Sequence, residues 1–260
     1  MTLHWAVQTN LGKSESEKLI KAFQQVGCPF TGLTCIPFSF RPLPELPTDR
    51  PTIFYGSVGF IQPIWVSQRW NPGVIFNENF DYRCWNQKWK EHCLNNGAEI
   101  TTIEGLSKQN RSPKDLLFIR PCADDKAFTG TVIEFGEMES WMRGILGAAP
   151  DFKDTKIAVS EPVGITTEWR LYMLNGKVMS GSQYRKNFKS IRSPYVPQTV
   201  IEFGERMAAI WSPAVLFTLD IAESGGDLYV NEMGSFHSAG LYEADVVKIV
   251  SEINNFFDKL

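Results

Sequence analysis

Two stretches of this chain place charged residues at spacings that can do chemistry. The first is EWRLYMLNGKVMSGSQYR, residues 168–185. Asn175-Gly176 is a favoured two-residue type I′ turn, so the stretch predicts a hairpin. With that tip Leu174 faces Lys177, Tyr172 faces Met179, Arg170 faces Gly181 and Glu168 faces Gln183. Side chains alternate along strands, which puts Glu168, Arg170 and Arg185 on one face. Trp169, Leu171, Met173 and Val178 take the other face, which suits a core. Two guanidiniums beside a carboxylate can grip a nucleotide or phosphate. A solvated face laced with ion pairs has the same pattern.

The second stretch is VLFTLDIAESGGDLYVNEM, which turns at Gly225-Gly226. A three-residue turn, Gly225-Gly226-Asp227, sets Asp220 opposite Glu232; a two-residue turn sets it opposite Asn231. Two carboxylates opposed across a ladder repel. A divalent cation is the simplest remedy, and oxygen ligands suit magnesium held together with substrate phosphates. Lys126 follows a strand ending in Arg120-Pro121. A lysine there can reach phosphate oxygens as a point charge, although a lone lysine is more often only a solvated surface group.

The elements that must position these residues read as α+β. HWAVQT, GLTCIP and PTIFYGS are strands. Leu19, Ile20, Phe23 and Val26 form a helical stripe behind a Ser14/Glu17 capping pattern. A Pro-rich connector runs from Arg41 to Pro51, and a Trp-rich helix lies within residues 77–96. This α/β unit is expected to end near residue 110. Beyond it come strands at 115–121, 130–135 and 156–163, a helix at 139–146, the two hairpins, and a terminal helix facing the core with Val246, Ile249, Val250, Ile253, Phe256 and Phe257. The sheets of this second part should be mainly antiparallel.

Composition narrows the function. Lys and Arg number 26 against 29 acids, a formal charge of −3, so no basic field for duplex nucleic acid exists. No apolar run reaches the ~20 residues of a membrane span, and no secretory signal stands at the start. Five cysteines without a CxxC pair suit free thiols in a reducing cytoplasm. The eight tryptophans read as packing rather than as a base-stacking platform. P-loop, GxGxxG, kinase and GxSxG signatures are absent.

Three segments in order, FIRPCADDKAFTG, VSEPVGITTEWRLYMLNGKVMSGSQYR and FTLDIAESGGDLYVNEMGSFHSAGLY, resemble ATP-grasp enzymes. The nearest likeness is the bacterial and phage clade named for two arginines and a lysine. The resemblance implies residues 111–260 as ATP-grasp lobes behind a pre-ATP-grasp unit at 1–110. It implies ATP and Mg²⁺ as cofactors, and small-molecule or peptide carboxylate and amine substrates joined through an acylphosphate. Arg120 and Lys126 would meet ATP phosphates, and Glu161 the base or ribose. Glu168 and Arg170 match the second lobe's motif, Arg185 an arginine near the transferred phosphate or substrate carboxylate, and Asp220 and Glu232 the magnesium-binding acids. The family's Glu-x-Asn is broken here, because Gly234 stands where asparagine is expected. A phosphotransferase, or a nucleotide-binding module without turnover, is the alternative. Ser235 and His237 lie in the following loop, facing an acceptor or simply satisfied within the loop.

Overall fold

The computed structural model describes residues 2–10, 13–35, 45–148 and 150–259. Part of the Pro-rich connector and the Ser14 side chain fall outside this set. The chain begins with the expected α/β unit, whose sheet is small and parallel. Strands β1 (His4–Gln8), β2 (Phe30–Leu33), β3 (Thr52–Tyr55) and β4 (Pro72–Gly73) pair in the order β2-β1-β3-β4. Helix α1 (Lys13–Val26) covers one face through Leu19, Ala22 and Phe23, and α2 (Val58–Ser67) covers the other through Phe60, Ile61 and Ile64. Helix α3 (Tyr82–Trp89), capped by the Asp81 carboxylate on the Arg83 N–H, leads out of this unit.

A second sheet contains β5 (Glu99–Thr102), β6 (Leu116–Pro121), β7 (Thr131–Glu134) and β8 (Lys156–Ser160) in the antiparallel order β5-β8-β6-β7. Helices α4 (Ile103–Ser107) and α5 (Met138–Ala148) accompany it. A break at residue 110 would part β5 from its partner β8, so the change of sheet falls between Gly73 and Glu99. Strand β8 also ends at Ser160, short of the expected Val163.

The third sheet is the two hairpins side by side. Strands β9 (Thr167–Leu174), β10 (Lys177–Lys186), β11 (Leu216–Ser224) and β12 (Asp227–Gly234) lie in the order β10-β9-β11-β12, with helix α6 (Gln198–Ile210) between the hairpins in sequence. Asn175 and Gly176 both have positive φ, as the type I′ turn requires. Trp169, Leu171, Met173, Phe217 and Leu219 pack with α3 and α6, so the core face is the one the alternation predicts. Helix α7 (Val246–Phe257) buries Val246, Ile249, Val250 and Ile253 between the parallel sheet and this one. All eight tryptophans sit in or against the hydrophobic clusters. No disulfide joins the cysteines among the described residues.

Both hairpins depart from simple alternation through β-bulges. Along β10, Met179 and Tyr184 are extra residues, so Glu168 pairs with Arg185 rather than Gln183. Two bulges shift the register by two, which returns Arg185 to the Glu168 face. The second hairpin turns on two residues, with Ser224 opposite Asp227, yet Asp220 still faces Glu232 because Asn231 bulges out of β12. The expected pairing is therefore present for a different reason than a three-residue turn.

Candidate active site

A cavity of about 440 Å³ lies between the second and third sheets. Arg120 on β6 and Lys126 on the loop after it line one wall. Glu168, Arg170, Arg185, Asp220 and Glu232 line the other. Seven of the eight residues read from sequence are thereby brought to one place. Glu161 is not: it lies exposed just past β8, outside the lining, where its carbonyl accepts from the Ser160 hydroxyl (3.1 Å).

The floor of the cavity is a buried charge network. Arg170 grips Asp220 with two parallel bonds, Nε to Oδ1 and Nη2 to Oδ2, both 2.7 Å. Asp220 is 3% exposed. Burial alone would lower the Arg170 pKa, but Asp220 outweighs it and holds the guanidinium charged. Glu168, also 3% exposed, accepts from Arg185 (2.9 Å), from the Tyr184 hydroxyl (2.7 Å) and from the Asn231 amide (3.0 Å). Tyr184 bonds Asp220 as well (3.2 Å), linking the two acids, and burial beside both keeps its phenol protonated. A bulge lets two successive residues turn toward one face. Tyr184 joins Arg185, and Asn231 joins Glu232, on the cavity side by this device, and both extra residues converge on one Glu168 oxygen.

The opposed carboxylates are not left to repel each other. Arg170 balances Asp220, and Arg120 lies 3.2 Å from Glu232 while bonding the Asn231 carbonyl (2.7 Å). The Arg120 guanidinium rests over the Tyr82 and Trp85 rings at 5.6 and 5.4 Å. Repulsion therefore does not by itself demand a cation. No three Asp, Glu, His or Cys side chains among the described residues converge as a metal cage. The donor set still suits Mg²⁺, which is commonly held by one or two carboxylates plus substrate phosphates. Asp220 and Glu232 are such a pair, with Glu232 half-exposed toward the cavity.

Lys126 has a positive φ, a strained conformation for a side chain with a Cβ. Its Nζ bonds the Ser238 carbonyl (2.6 Å) of the loop after β12. Burial holds its ammonium below the usual lysine range, partly opposed by Asp124 and reinforced by Arg170. Asp124 is a residue the sequence reading missed. Its Oδ2 accepts the Ser235 N–H (2.7 Å), and burial, with repulsion from Glu232, pushes its carboxyl up to about 6. A Cβ on Gly234 would lie 3.2 Å from that oxygen, so the glycine makes room for Asp124. Also missed were Tyr184 and Tyr242, whose rings stack at 5.0 Å with the Arg170 guanidinium over both. The signals were there: a doubled Asp beside Lys126, and a Tyr immediately before Arg185.

The loop after β12 is riveted to the parallel sheet. His237 is fully buried; its Nδ1 donates to the Phe54 carbonyl (2.6 Å) and its Nε2 accepts the Ile75 N–H (2.9 Å). Its own carbonyl accepts the Gly56 N–H (2.9 Å). Desolvation lowers its pKa to about 4, so it is a neutral structural group rather than one facing an acceptor. Tyr55 donates to Ala239 O, and Tyr172 to Gly240 O (2.7 Å).

Residues 57–253 match the ATP-grasp domain model for family 3 of the clade named for two arginines and a lysine. The chain belongs to the ATP-grasp family. No curated protein sequence matches it. Solved ATP-grasp structures align over nearly its whole length. D-cycloserine synthetase DcsG has a TM-score of 0.66 at 9% identity, covering 98% of this chain and 99% of that one. The D-alanine–D-alanine ligase of Bacillus anthracis has 0.59 at 9%, covering all of both chains. The ATP-grasp ligase PsnB, complexed with a minimal precursor, has 0.56 at 11%, covering 98% and 99%. At such identities the likeness establishes an ATP-grasp fold. No helix among the described residues is long and apolar enough to cross a membrane.

Proposed function

We propose that this ATP-grasp protein is an ADP-forming ligase joining a carboxylate to an amine. A substrate carboxylate oxygen attacks the γ-phosphorus of ATP; the bond to the bridging oxygen breaks and ADP leaves. The amine nitrogen then attacks the acyl carbon, the acyl C–O bond breaks, inorganic phosphate leaves, and the amine gives up a proton. The observation that carries this reading is the convergence of four cations, Arg120, Lys126, Arg170 and Arg185, on one cavity floored by two buried carboxylates. Phosphoryl transfer is catalysed chiefly by positioned charge of this kind.

Each residue has a role that its setting supports. Lys126 and Arg120 reach the phosphate tail from the β6 side. Arg170, locked by Asp220 and resting against the stacked Tyr184 and Tyr242 rings, is a rigid donor to the transferred group. Arg185 is half-exposed and held on one side by Glu168, which leaves guanidinium protons for a substrate carboxylate or the γ-phosphate. Asp220 and Glu232 would hold Mg²⁺, whose charge would neutralise the β- and γ-phosphates. Glu168 positions Arg185 and Tyr184.

Incubation with ATP, Mg²⁺ and mixed pools of carboxylates and amines tests the reading. ADP and phosphate release that needs both pools is expected. Release of ADP with only the carboxylate pool, and phosphate retained on it, identifies a phosphotransferase instead.

A further inference from the structure

A second, smaller cavity of about 70 Å³ opens beside the first, between α2 and the loop after β6. Its body is mainly apolar, formed by Val58, Ile61, Trp65, Val74 and Phe76 of the parallel-sheet unit, with the exposed Gln62 beside them. Asp124, Asp125, Ser235 and Ser238 form its rim. Asp124 and Ser235 also line the larger cavity, so the two chambers share a wall at the phosphate side. Asp124 commits Oδ2 to the Ser235 N–H; no hydrogen bond engages Oδ1 among the described residues. Asp125 is turned by its bond from the Ala127 N–H (3.0 Å) and is exposed.

We propose that this chamber is the acceptor subsite, taking a primary amine with a small branched apolar side group. Asp124 and Asp125 hold the ammonium at the rim, and the side group enters the apolar chamber. The inference rests on the ligase reading and deepens it by naming the acceptor's class. Size favours it. A dry apolar cavity of about 150 Å³ accepts benzene, so a chamber about half as large suits three or four carbons. Charge favours it as well: an apolar pocket rimmed by two carboxylates discriminates against an anionic acceptor and for a cationic one. Position favours it too, because a nitrogen held at Asp124 lies against the wall shared with the phosphate cavity. Gly234 is part of the device, since a side chain there would crowd the Asp124 carboxylate.

The test is calorimetric binding to the full chain, with the non-hydrolysable ATP analogue AMPPNP titrated first and amines second. Valinamide supplies an ammonium and an isopropyl group, glycinamide the ammonium alone, and isobutyramide the apolar group without charge. Valinamide should bind at least about tenfold more tightly than either partial probe, on the scale of three buried carbons or one charged hydrogen bond. Asp124→Asn should abolish the preference over isobutyramide, and Val58→Phe, which fills the chamber from a half-buried position, the preference over glycinamide. Val58→Phe, which lies outside the larger cavity, should keep the wild-type affinity for AMPPNP. If AMPPNP binds and valinamide does not, or binds with no regard to either substitution, the subsite is overturned while the ligase reading stands. If valinamide binds through Asp124 but no nucleotide binds, the ligase reading falls and the amine site remains.

Discussion

His237 should make the fold acid-sensitive in a way that can be calculated. The ring is buried with both nitrogens committed to backbone groups, so it must stay neutral to fit. Its pKa falls from 6.5 to about 4. A depressed histidine contributes stability that is fully present above 6.5 and is lost as pH falls toward 4, because the unfolded chain takes up the proton first. The whole shift corresponds to about 3 kcal/mol, and about 2 kcal/mol of it is lost between pH 7 and pH 5. His4, also depressed by burial, adds in the same direction. Asp124, raised to about 6, acts oppositely between 3.8 and 6, where the folded state holds the extra proton. A difference measurement removes both. His237→Phe keeps an aromatic ring but strands the Phe54 carbonyl and the Ile75 N–H, costing about 1–3 kcal/mol at pH 7. Urea unfolding of both proteins at pH 5, 6 and 7 should show their gap closing by about 2 kcal/mol toward pH 5. A gap that stays constant with pH refutes the assignment of the neutral, doubly bonded ring.

The other expectations concern the charge network. Asp220→Asn should destabilise the apo protein by about 3–5 kcal/mol, because it leaves the buried Arg170 guanidinium unpaired; Glu232→Gln, half-exposed, should cost less than about 1 kcal/mol. Chemical denaturation separates the two, and equal losses would argue against the Arg170 clamp. ATP turnover should nonetheless fall at least about a hundredfold in both, on the scale of one strong transition-state contact. Tyr184→Phe removes the hydroxyl that joins Glu168 to Asp220 and should cost about 1–2 kcal/mol, with a weaker response if Glu168 is already glutamine. Lys126 should react with amine-directed reagents at lower pH than the surface lysines, and saturating ATP should protect it; labelling indifferent to ATP would count against it as a phosphate contact.

Much of this site was readable because it is built on strands. Alternation alone put Glu168, Arg170 and Arg185 on one face and Trp169, Leu171 and Met173 on the other, since the burial of one face enforces parity. The bulges were not readable, because an extra residue is specified by what its side chain reaches across the sheet. Tyr184 and Asn231 bulge toward Glu168, a contact between strands that no local propensity encodes. The same applies to Asp124, whose position depends on an N–H 111 residues away and on Gly234 having no side chain. The change of sheet ahead of β5 was hidden for a related reason: the short β5 finds its partner β8 only in the folded chain. The opposed acids are present through a bulge rather than a three-residue turn; the arginines that neutralise them come from β6 and β9, and repulsion looked unanswered only while those strands were apart.

The two site bulges have a consequence for how this chain can change length. Both lie on edge strands, β10 and β12, each paired with a single neighbour inside the sheet. Deleting Tyr184 would restore a regular ladder there and still leave Arg185 opposite Glu168; deleting Asn231 would still leave Glu232 opposite Asp220. A one-residue gap at either point is thus mild for the sheet and severe for the network, because the donors to one of the two Glu168 oxygens are the surplus residues themselves. Relatives that lost one of them would keep the fold and the opposed acids intact while the second lobe's carboxylate went short of a partner. Such a gap, more than any substitution in the core, would mark where the chemistry of this cleft had drifted.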